Sequence, residues 1–529
     1  MKKTLLMLVA FMATMTAFAQ EEPEGWTKDF SPVAKQKDLK GVHTAVASDG
    51  AVYASSTYDH AFQFAGKDVK DPEGLLSSCV LKYDKDGNEL WSVSLIGSCA
   101  IHAMTADTDG TLYIAGTATD DAKVVITGTD GASKEILIPY VFNILYEMDV
   151  KSCDPGFIAK ISKDGVVEDV KDITTATNDE VAMDFENFYI PLDMISVRPY
   201  KLILEGNKLY VATRYMGDIS SLNWKGAYVH EDGMTFDVYS YGVFSMSKSG
   251  FGDLASVAYV QQTGTITDSE YDVEALDFVV YKEVPHVAFF GFGKLTLTTT
   301  ADSKNFSFTM EGESKNEHAL VLANVKDLTK SIEFHAAPHS YLGASYNLVD
   351  ATLVDDNCIL GGHFYGNFPL DNKVTKEANT SFVASIKMTE GSAKWATPNE
   401  VESYATCMIV TGEEIKASTD VATYTLKTAT GEVKTDMTMN QSFEDASVYN
   451  DQYVSTVSIE DETVDKDTQE ITKPAKVVVF SPKMSPSGIE AIKAAAVNGE
   501  AKIYNLNGQR VATPQKGLYI VNGKKAVIK

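Results

Sequence analysis

The stretch HAMTADTDGTLYIAG, residues 102–116, returns in looser form as HTAVASDGAVYAS, residues 43–55. Each opens on a His, turns on Asp-Gly and places a Tyr three residues after the Gly. Along the rest of the chain, short runs of Val, Ile, Tyr and Thr alternate with Asp-Gly or Gly-Asn pairs, while helix-period segments are scarce. That is an all-β pattern. Within the quoted hairpin, Asp109-Gly110 suits a tight turn with both central residues at positive φ. The TLYIAG that follows is almost wholly apolar, as expected of a strand covered on both faces.

A second hairpin follows the first. CVLKYDKDGNELW, residues 79–91, has counterparts at 157–165 and 382–395, with weaker ones at 243–250 and 320–325. Two hairpins make a four-stranded unit, and such units at a recurring interval are the mark of a β-propeller. At 529 residues the chain is too long for a single ordinary core unless repeats build it. Seven first hairpins centre on Tyr53, Tyr113, Tyr210, Phe289, Leu360, Ile415 and Tyr453. The seventh unit ends at AKVVVF, residues 475–480, and lacks a fourth strand, whereas EGWTKDF at 24–30 resembles the Trp-bearing outer strands around Trp91 and Trp395. The N-terminal strand is therefore expected to complete the last blade and remove an exposed sheet edge.

The Asp-Gly-x-x-Tyr hairpin and the later Phe-Val-x-Lys-x-x-x-x-Gly-x-x-x-Trp strand pair resemble a bacterial β-propeller repeat family found in exported proteins. The resemblance implies a fold and export, and no common reaction. Lys2 and Lys3, the apolar run from Leu5 to Ala13 and the Ala17-Phe18-Ala19 triplet read as a signal peptide cut after Ala19, leaving Gln20 first. The expected division is a signal peptide at 1–19, a propeller at 20–485 and a small β module at 486–529.

That last module reads as a three-stranded meander with turns at Asn507-Gly508 and Asn522-Gly523. Its Ile-Tyr-Asn-x-x-Gly, Gly-x-Tyr-Ile-Val and Lys-rich ending resemble the C-terminal sorting domains of Bacteroidetes proteins exported by type IX secretion. The resemblance implies delivery to the outer surface, with the secretion machinery as a partner. The alternative is a small structural cap.

A net charge of −27 argues against nucleic-acid binding, which needs a basic footprint. No apolar run is long enough to span a bilayer as a helix. The five cysteines, Cys79, Cys99, Cys153, Cys358 and Cys407, form no disulfide framework and no CxxC pair, and read as buried thiols, with a Cys79–Cys99 bridge left open. GxSxG, HExxH, Walker and Rossmann signatures are absent. Phe290-Gly-Phe-Gly-Lys294 reads as a turn, and His335 and His339, separated by Pro338, as loop histidines rather than a metal pair. The Asp-rich turns at 84–89 and 107–110 lack the spacing of a calcium loop. The recurring His43 and His102 are expected to bond an adjacent blade. No catalytic residue, metal or cofactor is assigned.

Function is expected where the repeat breaks. Insertions at 138–146, 184–191 and 222–232 are aromatic and flanked by acidic and amide groups, which suits a glycan or peptide partner. Tyr140, Tyr189, Trp224 and Tyr228 are the expected ligand contacts; the alternative is that the insertions pack onto blades two and three as extra strands. Three readings follow: a non-enzymatic binding protein for a polysaccharide or surface partner, a glycan hydrolase with converging carboxylates, or a purely structural envelope protein.

Overall fold

A computed structural model describes most of the chain from Gly25 to Ile528, leaving out chiefly residues 1–24, 34–38, 120–122, 144–147, 177–194, 263–272, 300–304, 310–317, 337–344, 465–470, 483–502 and 506–516. Strands dominate it, and most of them fall into seven blades. Blades 2, 4, 5 and 6 are four-stranded antiparallel sheets in chain order, and blades 1 and 3 carry two further outer strands each. The first strands of successive blades touch in a closed ring from His43–Val46 through Cys99–Ala106, Val197–Glu205, Val273–Tyr281, Ser345–Val354 and Ala405–Val410 to Asp445–Tyr449, and back to His43–Val46. The molecule is a seven-bladed β-propeller, and these first strands surround its axis. All seven residues read as hairpin centres lie in the second strand of their blade.

The ring closes as the sequence implied. Gly25–Phe30 pairs antiparallel with Lys476–Pro482, with Trp26 opposite Ser481, Lys28 opposite Val479 and Phe30 opposite Val477. The fourth strand of blade 7 thus comes from the opposite end of the chain.

The repeated residues latch each blade to the next. Trp91, on the fourth strand of blade 1, donates its indole N–H to the Lys163 carbonyl of blade 2 at 2.9 Å and packs on Gly165 in the same turn. Trp26 of blade 7 does the same to Lys85 and Gly87 of blade 1, and Trp395 of blade 5 to Thr428 and Gly431 of blade 6. The second-strand Tyr makes a parallel contact: the Tyr53 hydroxyl donates to the Gly110 carbonyl of blade 2 at 2.7 Å, and the Tyr453 ring covers Gly50. Lys82 completes one latch, donating to the Lys163 carbonyl while its ammonium sits over the Tyr53 and Trp91 rings.

The turn chemistry differs in one respect from its expected form. At 107–111, Gly110 has φ +83° but Asp109 stays at negative φ. Gly110 N–H donates to the Asp107 carbonyl and Asp107 N–H to the Thr111 carbonyl, which is a type I turn followed by a left-handed bulge residue. Asp109 holds it by accepting from the Thr111 N–H.

Two further hairpins join a blade other than the one they interrupt. Lys123–Thr127 and Ser133–Leu137 leave blade 2 and extend the outer edge of blade 1, Val125 pairing with Ile96. Lys294–Thr299 and Asn305–Thr309 leave blade 4 and extend blade 3. Phe290-Gly-Phe-Gly-Lys294 accordingly spans the end of one strand and the start of the next. At the C-terminus, Ile503–Asn505, Gly517–Val521 and Lys524–Ile528 form a three-stranded sheet, and both expected turns lie outside the described residues.

Two outcomes are expected. Trp91→Ala should cost roughly 3–5 kcal/mol, as for other buried aromatic truncations, measurable by denaturant unfolding. Deleting residues 25–30 should expose the edge of Lys476–Pro482 and turn a monodisperse chain into an aggregating one in size-exclusion chromatography.

Candidate ligand-binding face

Antiparallel pairing makes the first and third strands of a blade run one way and the second and fourth the other. Connections from second to third strand, and from each blade to the next, therefore emerge on one face. Every elaboration of the repeat starts there. Blade 1 carries the hairpin of Gln63–Phe64 and Lys67–Asp68, blade 2 that of Tyr140–Asn143 and Met148–Lys151, blade 3 that of Ala227–Glu231 and Met234–Val238, and blade 7 that of Thr463–Val464 and Ile471–Lys473. The opposite face bears mostly short turns, four of them Asp-Gly, at 49–50, 86–87, 109–110 and 164–165.

The expected contact residues have separate fates. Tyr140 is 46% exposed at the start of its hairpin, close in sequence to Leu137 at 61%. Tyr228 is half-buried on the blade 3 hairpin. Trp224 is only 1% exposed, and this corrects its reading as a ligand contact. Its indole packs among Tyr215, Phe244 and Tyr259, its ring lies over Gly242, and its N–H donates to Ser256 Oγ. It anchors the blade 3 connection instead of meeting a ligand. Tyr189 lies outside the described residues, as do Ala17, Ala19 and Gln20. Tyr404 was not anticipated: it is 45% exposed between blades 5 and 6, its ring edge-on to His363 and its hydroxyl accepting from Asn379 Nδ2 at 2.8 Å.

Near the axis the chemistry is polar. Lys201 of blade 3 donates to Asp277 of blade 4 at 2.5 Å, to Asp350 of blade 5 at 3.2 Å and to the Ala351 carbonyl at 2.7 Å. Burial disfavours the Lys201 ammonium, but the two carboxylates outweigh it and hold its pKa above the ordinary lysine range. Burial also pushes the Asp277 carboxyl up to about 6, with Lys201 pulling against it. All three ammonium protons are spent, so the group ties three blades together. The two carboxylates do converge, but on a lysine that occupies the space between them.

His43 Nδ1 lies 3.2 Å from Asp445 Oδ2 of blade 7, the cross-blade bond expected of it. His102 instead meets Thr117 of its own blade, and the Thr117 hydroxyl carries the link onward to the Val197 carbonyl of blade 3. Burial first, then the fields of His43 and Arg198, lower the His102 pKa to about 4. All five cysteines are buried free thiols, so Cys79 and Cys99 are not bridged. The Asp84 carboxylate accepts from Asp86 N–H, Asn88 N–H and Asn88 Nδ2, which is turn chemistry. His335 stands beside Glu333, while His339 falls outside the described residues. Among the described residues, no cluster of three His, Cys, Asp or Glu is placed to hold a metal ion.

No family model and no curated protein matches the chain. Among solved structures it is similar to BamB from Moraxella catarrhalis, at 11% identity and a TM-score of 0.33, over 87% of this chain and 99% of that one. It is likewise similar to the WD40 domain of coronin from Toxoplasma gondii, at 8% identity and a TM-score of 0.39, over 88% of this chain and 87% of that one. The Cps50 (Swd1) β-propeller domain from Myceliophteria thermophila gives 7% and 0.34, over 86% of this chain and 99% of that one. Likenesses this distant say nothing about function; the seven sheets and their closed ring define the class.

The His102 shift has a measurable sign. An imidazole whose folded pKa lies below its unfolded value near 6.5 adds nothing above that pH. It costs stability as pH falls from about 6.5 toward 4, because only the unfolded chain takes up the proton. His102→Gln should therefore flatten the fall in Tm between pH 7 and 4.5, a difference equivalent to roughly 2–3 kcal/mol at the acid end.

Proposed function

We propose that the chain is an exported, surface-delivered propeller that binds a polysaccharide or a surface partner without catalysing a reaction. The observation that carries this reading is the one-sided elaboration of the ring: hairpins rise from the second-to-third connections, and exposed Tyr140 and half-buried Tyr228 stand among them. Aromatic faces beside carboxylates and amides suit stacking on sugar rings with hydrogen bonds around the edge. The N-terminal Lys-Lys, apolar and Ala-x-Ala pattern supports export, and the strand-rich C-terminal segment supports a sorting role.

The hydrolase reading requires two carboxylates with room between them for a sugar or a water. Asp277 and Asp350 share Lys201 in that position, which favours the binding reading.

Screening the purified chain on a glycan array, alongside Tyr140→Ala and Tyr228→Ala, tests the proposal. The wild type should bind a defined subset of glycans, and each variant should lose up to about tenfold in affinity while keeping its Tm, as expected when one aromatic stacking contact of about 0.5–1.5 kcal/mol is removed. Unchanged binding in both variants would remove these residues from the site. Turnover of any glycan that disappears in Asp277→Asn would restore the hydrolase.

A further inference from the structure

The chain has only three arginines, Arg198, Arg214 and Arg510, among 46 basic residues. Two of them sit directly opposite each other on the first and second strands of blade 3, Arg198 against Arg214. Directly opposed residues project from the same side of a sheet, where like charges repel. Neither guanidinium has a carboxylate partner among the described residues. This is not for want of acids, since the chain carries 73 Asp and Glu. Lys201, three residues beyond Arg198 on the same strand, has two of them.

The Arg214 guanidinium lies flat against the Tyr239 ring, 3.5 Å from its centroid, and its Nε is buried without a hydrogen-bond partner. A buried charged donor left unpaired is costly, so its retention asks for an acceptor beyond the described residues. Arg198 is exposed, and its charge reaches His102 of blade 2, near the axis. Arg198 is the second residue of Val197–Glu205, entering from the elaborated face. Arg214 is the penultimate residue of Lys208–Tyr215, leaving toward that face. The connection that follows Arg214 carries Tyr228 and ends at Tyr239.

We propose that Arg198 and Arg214 bind the carboxylate of an acidic sugar residue in the ligand. Guanidinium groups match a carboxylate through paired N–H donors, and stacking on Tyr239 fixes the plane of the Arg214 fork. A net charge of −27 disfavours a long polyanion, whereas screening over about 8 Å lets an isolated carboxylate feel mainly the local pair. The inference rests on the polysaccharide-binding reading and adds the class of sugar.

Saturation-transfer NMR on the purified chain with methyl glucuronide, N-acetylneuraminic acid, neutral methyl glucoside and acetate tests it, together with Arg198→Gln and Arg214→Gln. At least one acidic sugar should bind, with glucoside silent and acetate much weaker, and either variant should weaken binding by roughly tenfold or more. Without any probe, the Tm of Arg198→Gln should stay level or rise as repulsion is relieved. Equal binding of glucuronide and glucoside would overturn the proposal. Acetate binding as tightly as the acidic sugars would reduce the site to a bare anion site. Variants that lose several degrees of Tm while binding is unchanged would make the arginines structural. If neutral glycans bind through Tyr140 and Tyr228 while both acidic sugars are ignored, the binding-protein reading stands and this inference falls.

Discussion

One strand pairing makes this molecule a ring: Gly25–Phe30 against Lys476–Pro482. In a propeller each blade stabilises only its neighbours, so an open arc has two unsatisfied ends. Closing it converts both ends into ordinary blade contacts, and the same Trp–Gly latch found between blades 1 and 2 then also joins blade 7 to blade 1. The first strands can surround an axis only because that circuit is complete. Lys201 can then reach carboxylates on the two blades that follow its own, and His43 one on the blade before.

The ring divides labour between its faces. Turns at Gly50, Gly87 and Gly110 on one face share one local chemistry: an Asp side chain capping the turn, a left-handed Gly and an aromatic from the preceding blade. That chemistry leaves little room to vary. The other face has no such constraint, and there the chain spends its extra length and displays Tyr140, Tyr228 and Tyr404. Arg198 and Arg214, without a carboxylate partner among the described residues, open onto the same face, so the charge anomaly and the length anomaly coincide.

What the sequence disclosed follows from how local each rule is. The hairpin centres and the closing strand around Trp26 were readable because a short pattern recurs and each copy does the same job. The turn type was not, since Asp-Gly serves both a two-residue turn and the bulged turn seen at 107–111. Nor were the sheets joined by 123–137 and 294–309, because a strand's partner outside its own repeat depends on which distant edge is free. Trp224 misled because an aromatic in an irregular stretch looks the same whether it faces solvent or core. The arginine pair left a trace in composition alone: three arginines in the chain, two of them flanking a single hairpin.

The crossed insertions have a consequence for assembly. Blade 1 ends in strands made only after the first hairpin of blade 2, and blade 3 in strands made after the first hairpin of blade 4. A chain emerging from its N-terminus cannot finish either blade before its successor has begun, so these four blades mature as two interlocked couples. Blades 5 and 6 are completed in sequence, one at a time. The earliest described strand, 25–30, is the last in the propeller to find its partner, and must wait until Lys476–Pro482 has been made for the sheet it completes.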